Sequence, residues 1–333
     1  MARSRDIRQA AGNAASDLGA RLLAGALGAG AALGGLAWWA GRKSAEVERA
    51  NPPMGSFIEV SGTRLHYLAR GRGRPVVFLH GIAGMIQDWQ LAMLDRAAEQ
   101  WRCLAFDVPG YGWSARPGFV KWTPERLADT LRRATRRLGL ERPVVVGHSF
   151  GALIALAWAL EAPSELAGLV LEAGPYYPQR RLDIRMMASL GAPGMAETVS
   201  PVMVRAMLPL LLKRMFAPLP VPPRFHLFPA EMISRPVTVH AMADDFGQLS
   251  EAARRLAARY GDIAVPTVIL AGDADAVIDA AGLAGRLHDA IGHSALRIEP
   301  GVGHMLHHAS PATVVAAIEL AWHQSDQGLS ARA

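Results

Sequence analysis

Acyl transfer through an activated hydroxyl needs a serine, a histidine to take its proton and a carboxylate to orient the histidine. This sequence offers all three in order. Gly147-His148-Ser149-Phe150-Gly151 has the G-x-S-x-G spacing, a weak signal by itself in a chain with 33 glycines. Its setting carries more weight. A valine run ends at Gly147 and an alanine- and leucine-rich helical pattern begins at Gly151. Ser149 is therefore expected on a sharp strand-to-helix turn, where close packing demands small residues two positions before and after. The helix N-terminus behind it would favour developing negative charge.

Two later loops supply the partners. Asp273-Ala274-Asp275 follows the strand-like run 266–272, and His304 follows the run 295–299 inside "PGVGHM". Both loops would lie at the C-terminal edge of the sheet, where ligands bind in open α/β folds. Asp275 is preferred as the acid, followed by Asp273 and Asp279, with Glu172 at the end of an earlier strand as a further alternative. His304 is preferred as the base among 11 histidines, with His307 and His308 in reserve.

These loops need a sheet to hold them. Short apolar runs at 75–79, 102–106, 143–147, 166–172, 266–272 and 295–299 alternate with helix-period stretches. Strands buried on both faces and separated by helices imply an α/β fold with a mostly parallel sheet. Ahead of them, "FIEV" and "TRLHYLA" flank Ser61-Gly62, a hairpin signal that adds antiparallel strands at one edge. Residues 175–262 contain no strong strand and hold eight of the 13 methionines. They read as a helical cap inserted into the sheet, with adaptable apolar surfaces.

The N-terminus has a separate character. Residues 22–41, "LLAGALGAGAALGGLAWWAG", are uncharged and apolar on every side. At 1.5 Å per residue such a helix spans about 30 Å, the hydrocarbon thickness of a bilayer. Trp38 and Trp39 fall at the end where aromatic side chains favour the interface. The expected organisation is a basic segment 1–21, a transmembrane anchor 22–41, a linker 42–55 ending in Pro-Pro, a first core part 56–174, the cap 175–262 and a second core part 263–333.

The net charge of +6 comes from scattered arginines, since only Lys43, Lys121 and Lys213 are lysines. Without a clustered basic patch, no nucleic-acid partner is expected. The single cysteine, Cys103, cannot form an internal disulfide and reads as a core residue. Neither H-E-x-x-H nor a glycine-rich phosphate loop occurs, so no metal and no cofactor are expected.

The blocks "VVFLHGIAG", "FDVPGYGWSARP", "VVVGHSFGALIAL", "LAGDADAVI" and "PGVGHMLHH" resemble the α/β-hydrolase fold superfamily. The resemblance is to its serine hydrolase branch of bacterial lipases, esterases and meta-cleavage-product hydrolases, over residues 57 to 323. It implies that the backbone N–H groups of Ile82 and Phe150 form the oxyanion hole, that Asp275 is the acid, and that Asp107 with the Gly110–Gly112 turn shapes the site. Epoxide hydrolases and haloalkane dehalogenases of this fold carry aspartate at the elbow, where this chain has Ser149.

The expected function is therefore a single-pass, membrane-anchored serine hydrolase acting on a lipophilic carboxylic ester through an acyl-enzyme. Carbon–carbon bond hydrolysis or cofactor-free perhydrolysis with the same residues is the alternative. A non-catalytic membrane scaffold or chaperone is the reading from another class.

Overall fold

The computed structural model describes residues 2–118, 120–179, 181–192 and 194–330, with side chains from residue 21 to residue 328. Its centre is an eight-stranded sheet of order β1-β2-β4-β3-β5-β6-β7-β8. β1 (Ser56–Val60) and β2 (Thr63–Arg70) form a hairpin in which Val60 faces Thr63. Ser61 and Gly62 both have positive φ, 50° and 75°, as a two-residue turn between right-twisted strands requires. β2 joins the main sheet antiparallel to β4 (Arg102–Phe106). The remaining pairings, through β3 (Pro75–Leu79), β5 (Val144–His148), β6 (Gly168–Glu172), β7 (Thr267–Gly272) and β8 (Ala295–Glu299), are parallel. Every residue of β5, β6 and β7 is buried, which explains their continuous apolar runs.

The chain passes from β3 outward to β4 and then returns across β3 to β5. Ligand crevices open at such a change of direction, beyond the C-terminal ends of the strands. Here it sets the loop after β3 beside the turn after β5, with Leu79 opposite Gly147.

The principal helices are α1 (Ala2–Ala50), α2 (Pro124–Arg137), α3 (Phe150–Glu161), α4 (Leu182–Ser189), α5 (Val199–Phe216), α6 (Pro236–Ala257), α7 (Ala280–Ala290) and α8 (Pro311–Ser330). α4, α5 and α6 occupy the stretch between β6 and β7. A buried cluster ties them to the sheet: the Tyr111 hydroxyl donates to Asp245 Oδ2 at 2.7 Å, and Arg116 pairs with Asp245 Oδ1 at 2.8 Å. Burial and its neighbouring charge outweigh Arg116, so the Asp245 carboxyl lies above its ordinary value.

Two apolar helices contrast in environment. α3 lacks a polar face because all its residues from Phe150 to Leu160 are buried. The stretch of α1 from Arg21 is long and apolar enough to cross a membrane, yet Leu22, Leu27 and Trp38 are each at least 66% exposed. In this respect α1 is unlike a soluble core helix.

Residues 42–55, expected as a linker, are helical as far as Ala50. No helix breaker occurs before Pro52, and the last turns of α1 find a packing surface. Ala40 and Val47 are buried, and Glu48 pairs with the buried Arg235, at the start of α6, at 2.9 Å. Arg235 also donates to the carbonyl of Gly112. Cys103 is wholly buried in β4, where burial pushes its thiol up to about 12.

Candidate active site

Ser149 occupies the turn between β5 and α3 with φ 52° and ψ −117°, a strained conformation for a residue with a side chain. Surrounding contacts hold it there: the Ser149 amide donates to the Glu172 carbonyl at 2.8 Å. The flanking glycines are required sterically. A Cβ on Gly147 would fall 2.5 Å from the Gly151 carbonyl oxygen, and one on Gly151 would fall 2.2 Å from that of Leu79.

The loop after β3 lies directly against this turn. A Cβ on Gly81 would stand 2.9 Å from Ser149 Cβ. His80 fixes the loop in one tautomer, its Nδ1–H donating to the Gly81 carbonyl at 2.8 Å while Nε2 accepts from the Val108 amide at 2.9 Å. Burial lowers the His80 pKa against the pull of Asp107. Ile82 lies in this loop, and the Phe150 amide is in the first turn of α3, where amides have no intrahelical acceptor.

The two downstream residues meet. His304 Nδ1 lies 2.7 Å from Asp275 Oδ2, with the two side chains 4% and 1% exposed. Asp275 Oδ1 accepts from the amides of Val277 and Ile278 at 2.7 and 3.1 Å. The carboxylate is therefore aimed by its own loop. With Nδ1 engaged, His304 is left with Nε2 for a reacting proton. The alternatives go elsewhere. Asp273 is exposed and caps the Gly301 amide at 2.6 Å, and Asp279 is the N-cap of α7.

His148 bridges the Ser149 turn and the loop that carries His304. Its Nε2–H donates to the His304 carbonyl at 3.0 Å, and the two rings lie edge to face at 4.9 Å. Burial, and then the like charges of His307 and His304, hold the His148 pKa well below its ordinary value. Behind His148, a second group is sealed in the core. His307 Nδ1 lies 3.1 Å from Glu172 Oε2 and Nε2 lies 3.3 Å from Asp88 Oδ1. Burial alone would lower His307, but Asp88 and then Glu172 outweigh it and push the imidazole up to about 10. Glu172 and His307 thus face each other, away from the His304–Asp275 pair. Sequence reading passed over Asp88 and the role of His148, because their partners come from distant segments.

Asp107 is a structural knot. It accepts from Ile86 N and Trp113 N, both at 2.8 Å, and pairs with His66 at 2.7 Å. A Cβ on Gly112 would strike its carboxylate. A separate groove of about 540 Å³ lies between Arg142, Val265 and Gln324, at the opposite end of the sheet from Ser149.

Residues 74–311 match the family model described as alpha/beta hydrolase fold. The chain belongs to this family. Among curated relatives, this alpha/beta hydrolase is 34% identical over 116 residues to the dihydrolipoyllysine-residue acetyltransferase component of the acetoin cleaving system of Cupriavidus necator, covering 34% of this chain and 30% of that one. It is 32% identical over 133 residues to 2-hydroxymuconate semialdehyde hydrolase of Pseudomonas sp., covering 38% and 47%. The hydrolase thus spans less than half the length of either relative. Among solved structures, that of a membrane phospholipase A, described as a bacterial virulence factor, superposes with a TM-score of 0.64 at 21% identity, covering 92% of this chain and 98% of that one. At that identity the likeness establishes the fold.

Proposed function

We propose that this alpha/beta hydrolase is a membrane-anchored serine hydrolase that cleaves a lipophilic carboxylic ester. The observation that carries the reading is the convergence of Ser149, the His304–Asp275 pair and the loop holding Ile82 at one edge of the sheet. Ser149 Oγ attacks the carbonyl carbon while His304 Nε2 takes its proton, and Asp275 holds the imidazole and balances its charge. The amides of Ile82 and Phe150 receive the oxyanion, helped by the N-terminus of α3. His304 then protonates the departing alcohol. In the second half it deprotonates water, which releases the acid and frees Ser149.

The membrane element of the reading rests on α1, apolar yet exposed through residues 22–35, and on the apolar side chains exposed on α4 and α5, among them Leu182, Met186 and Leu210. These surroundings favour a substrate with a long acyl chain.

Purified full-length protein in detergent, assayed on p-nitrophenyl esters of rising chain length, tests the reading. Turnover that rises with chain length supports it. Turnover of diketone-like compounds with no ester hydrolysis would favour carbon–carbon bond hydrolysis instead.

A further inference from the structure

The sealed group behind His148 contains more carboxylate than its proton donors balance. Asp88 Oδ1 lies 2.8 Å from His308 Nε2 and 3.3 Å from His307 Nε2. The three donor atoms all fall within 4.8 Å of one another, and the three side chains are at most 4% exposed. Donors on a tetrahedral ion with bonds of about 2.0–2.1 Å stand about 3.3 Å apart, a spacing inside the range seen here.

Two further observations point to a ligand. His307 Nε2 is wholly buried and lacks an aligned hydrogen bond despite its proximity to Asp88. Its other nitrogen, Nδ1, faces Glu172 Oε2 at 3.1 Å. A metal-bound imidazole that donates its remaining N–H to a carboxylate is fixed in tautomer and made more basic. Charge agrees with this arrangement. Asp88 and Glu172 bring two negative charges into the core beside two imidazoles, and one divalent cation balances both carboxylates where apolar walls cannot. Trp89 lies tilted over His307 at 4.5 Å, and Phe216 and Phe225 border His308 at 5.3 and 5.2 Å. These rings exclude water from the group.

We propose that Asp88, His307 and His308 form a binding site for a zinc-class divalent cation, with Glu172 orienting His307. A donor set of two imidazoles and one carboxylate suits zinc. Binding displaces the Nε2 proton of each imidazole: His307 releases one and keeps the proton that Nδ1 donates to Glu172, while His308 carries its remaining proton on Nδ1. The ion would be structural. It would join the helical turn at Asp88 to the segment 306–309 that follows the His304 loop, and it makes no contact with the carbonyl chemistry assigned to Ser149.

The test uses full-length protein in detergent, stripped with a strong chelator and dialysed against Zn²⁺ or Co²⁺. One tightly held equivalent of Zn²⁺ is expected, with X-ray absorption showing two imidazoles and only nitrogen and oxygen ligands. Co²⁺ should give the intense visible bands of a low-coordinate site. Asp88→Asn and His308→Gln should each lose the bound equivalent, and Glu172→Gln should weaken binding by about 10- to 100-fold. Wild type that retains no metal, or that binds it equally in the Asp88 and His308 variants, would overturn the site. So would a wild-type absorption spectrum lacking two imidazoles, a result that does not depend on whether any variant folds. Fluorophosphonate labelling of the same preparation reads the Ser149 assignment separately.

Discussion

His148 Nε2 stands 3.0 Å from the backbone carbonyl oxygen of His304. The last residue of β5, immediately before Ser149, thereby holds the loop that presents His304. The Ser149 turn and the His304 loop come from segments 156 residues apart, and this hydrogen bond couples them. Positioning errors of about 1 Å cost up to about 10²-fold in rate. His148→Phe should therefore lower kcat by about 10- to 100-fold with little change in KM. His148→Gln, which can still donate, should recover part of the loss. Steady-state kinetics on a soluble ester distinguishes the two, and an unaltered kcat in His148→Phe would remove the coupling from the account.

The acid assignment is directly separable. Asp275 faces His304 at 2.7 Å, whereas Asp273 caps a loop amide. Asp275→Asn should reduce kcat by about 10⁴-fold, as loss of the orienting carboxylate does in triads. Asp273→Asn should stay within about 10-fold, because it alters a loop contact only. Equal losses, or a larger one at Asp273, would reverse the assignment.

Acid should unfold the protein through its buried neutral histidines. Burial holds both His80 and His148 below the ordinary histidine value in the folded state. The unfolded chain binds their protons below about pH 6.5 and the native state does not. Stability is thus fully present above that pH and falls as pH drops towards the folded values. Each histidine adds to the loss of stability as pH falls below the unfolded value towards its lower folded value. Denaturant unfolding between pH 6.5 and 5 should show a shallower pH slope in His148→Gln. An identical slope would show that His148 is protonated in the native state.

Truncation separates anchor from support. Deleting residues 1–38 should release the protein from membranes while keeping the buried Ala40 and Val47 and the Glu48–Arg235 pair. Deleting residues 1–50 removes those contacts and leaves the buried Arg235 without its carboxylate. The shorter product should melt several degrees lower, since uncovering apolar area and unpairing a buried charge each destabilise. Membrane pelleting and thermal melts of both forms check this. Persistent pelleting of both would remove α1 as the anchor.

Much of the fold was legible in the sequence because its signals are local. Continuous apolar runs marked the parallel strands, Ser61-Gly62 marked the hairpin, and Gly147 and Gly151 marked a turn where any Cβ would strike backbone. The family pattern favours Asp275 over Asp273 two residues away, and Asp275 lies 2.7 Å from His304. What stayed hidden depends on distant segments. Asp88 and His308 meet across 220 positions, and no spacing rule joins a residue after β3 to one after β8. The helical end of α1 reads as a linker in the sequence because its polar residues look solvated in isolation. Only the surface around Arg235 gives Val47 and Glu48 something to pack against.

The central claim is that Ser149 is a nucleophile activated by His304 and Asp275. A fluorophosphonate probe, followed by peptide mass spectrometry on the full-length protein, tests it most directly. The account predicts one covalent adduct, on Ser149, absent in Ser149→Ala and slowed by about 10³-fold or more in His304→Ala. A wild-type protein that takes up no label, or a Ser149→Ala variant labelled as fast as wild type, would contradict it.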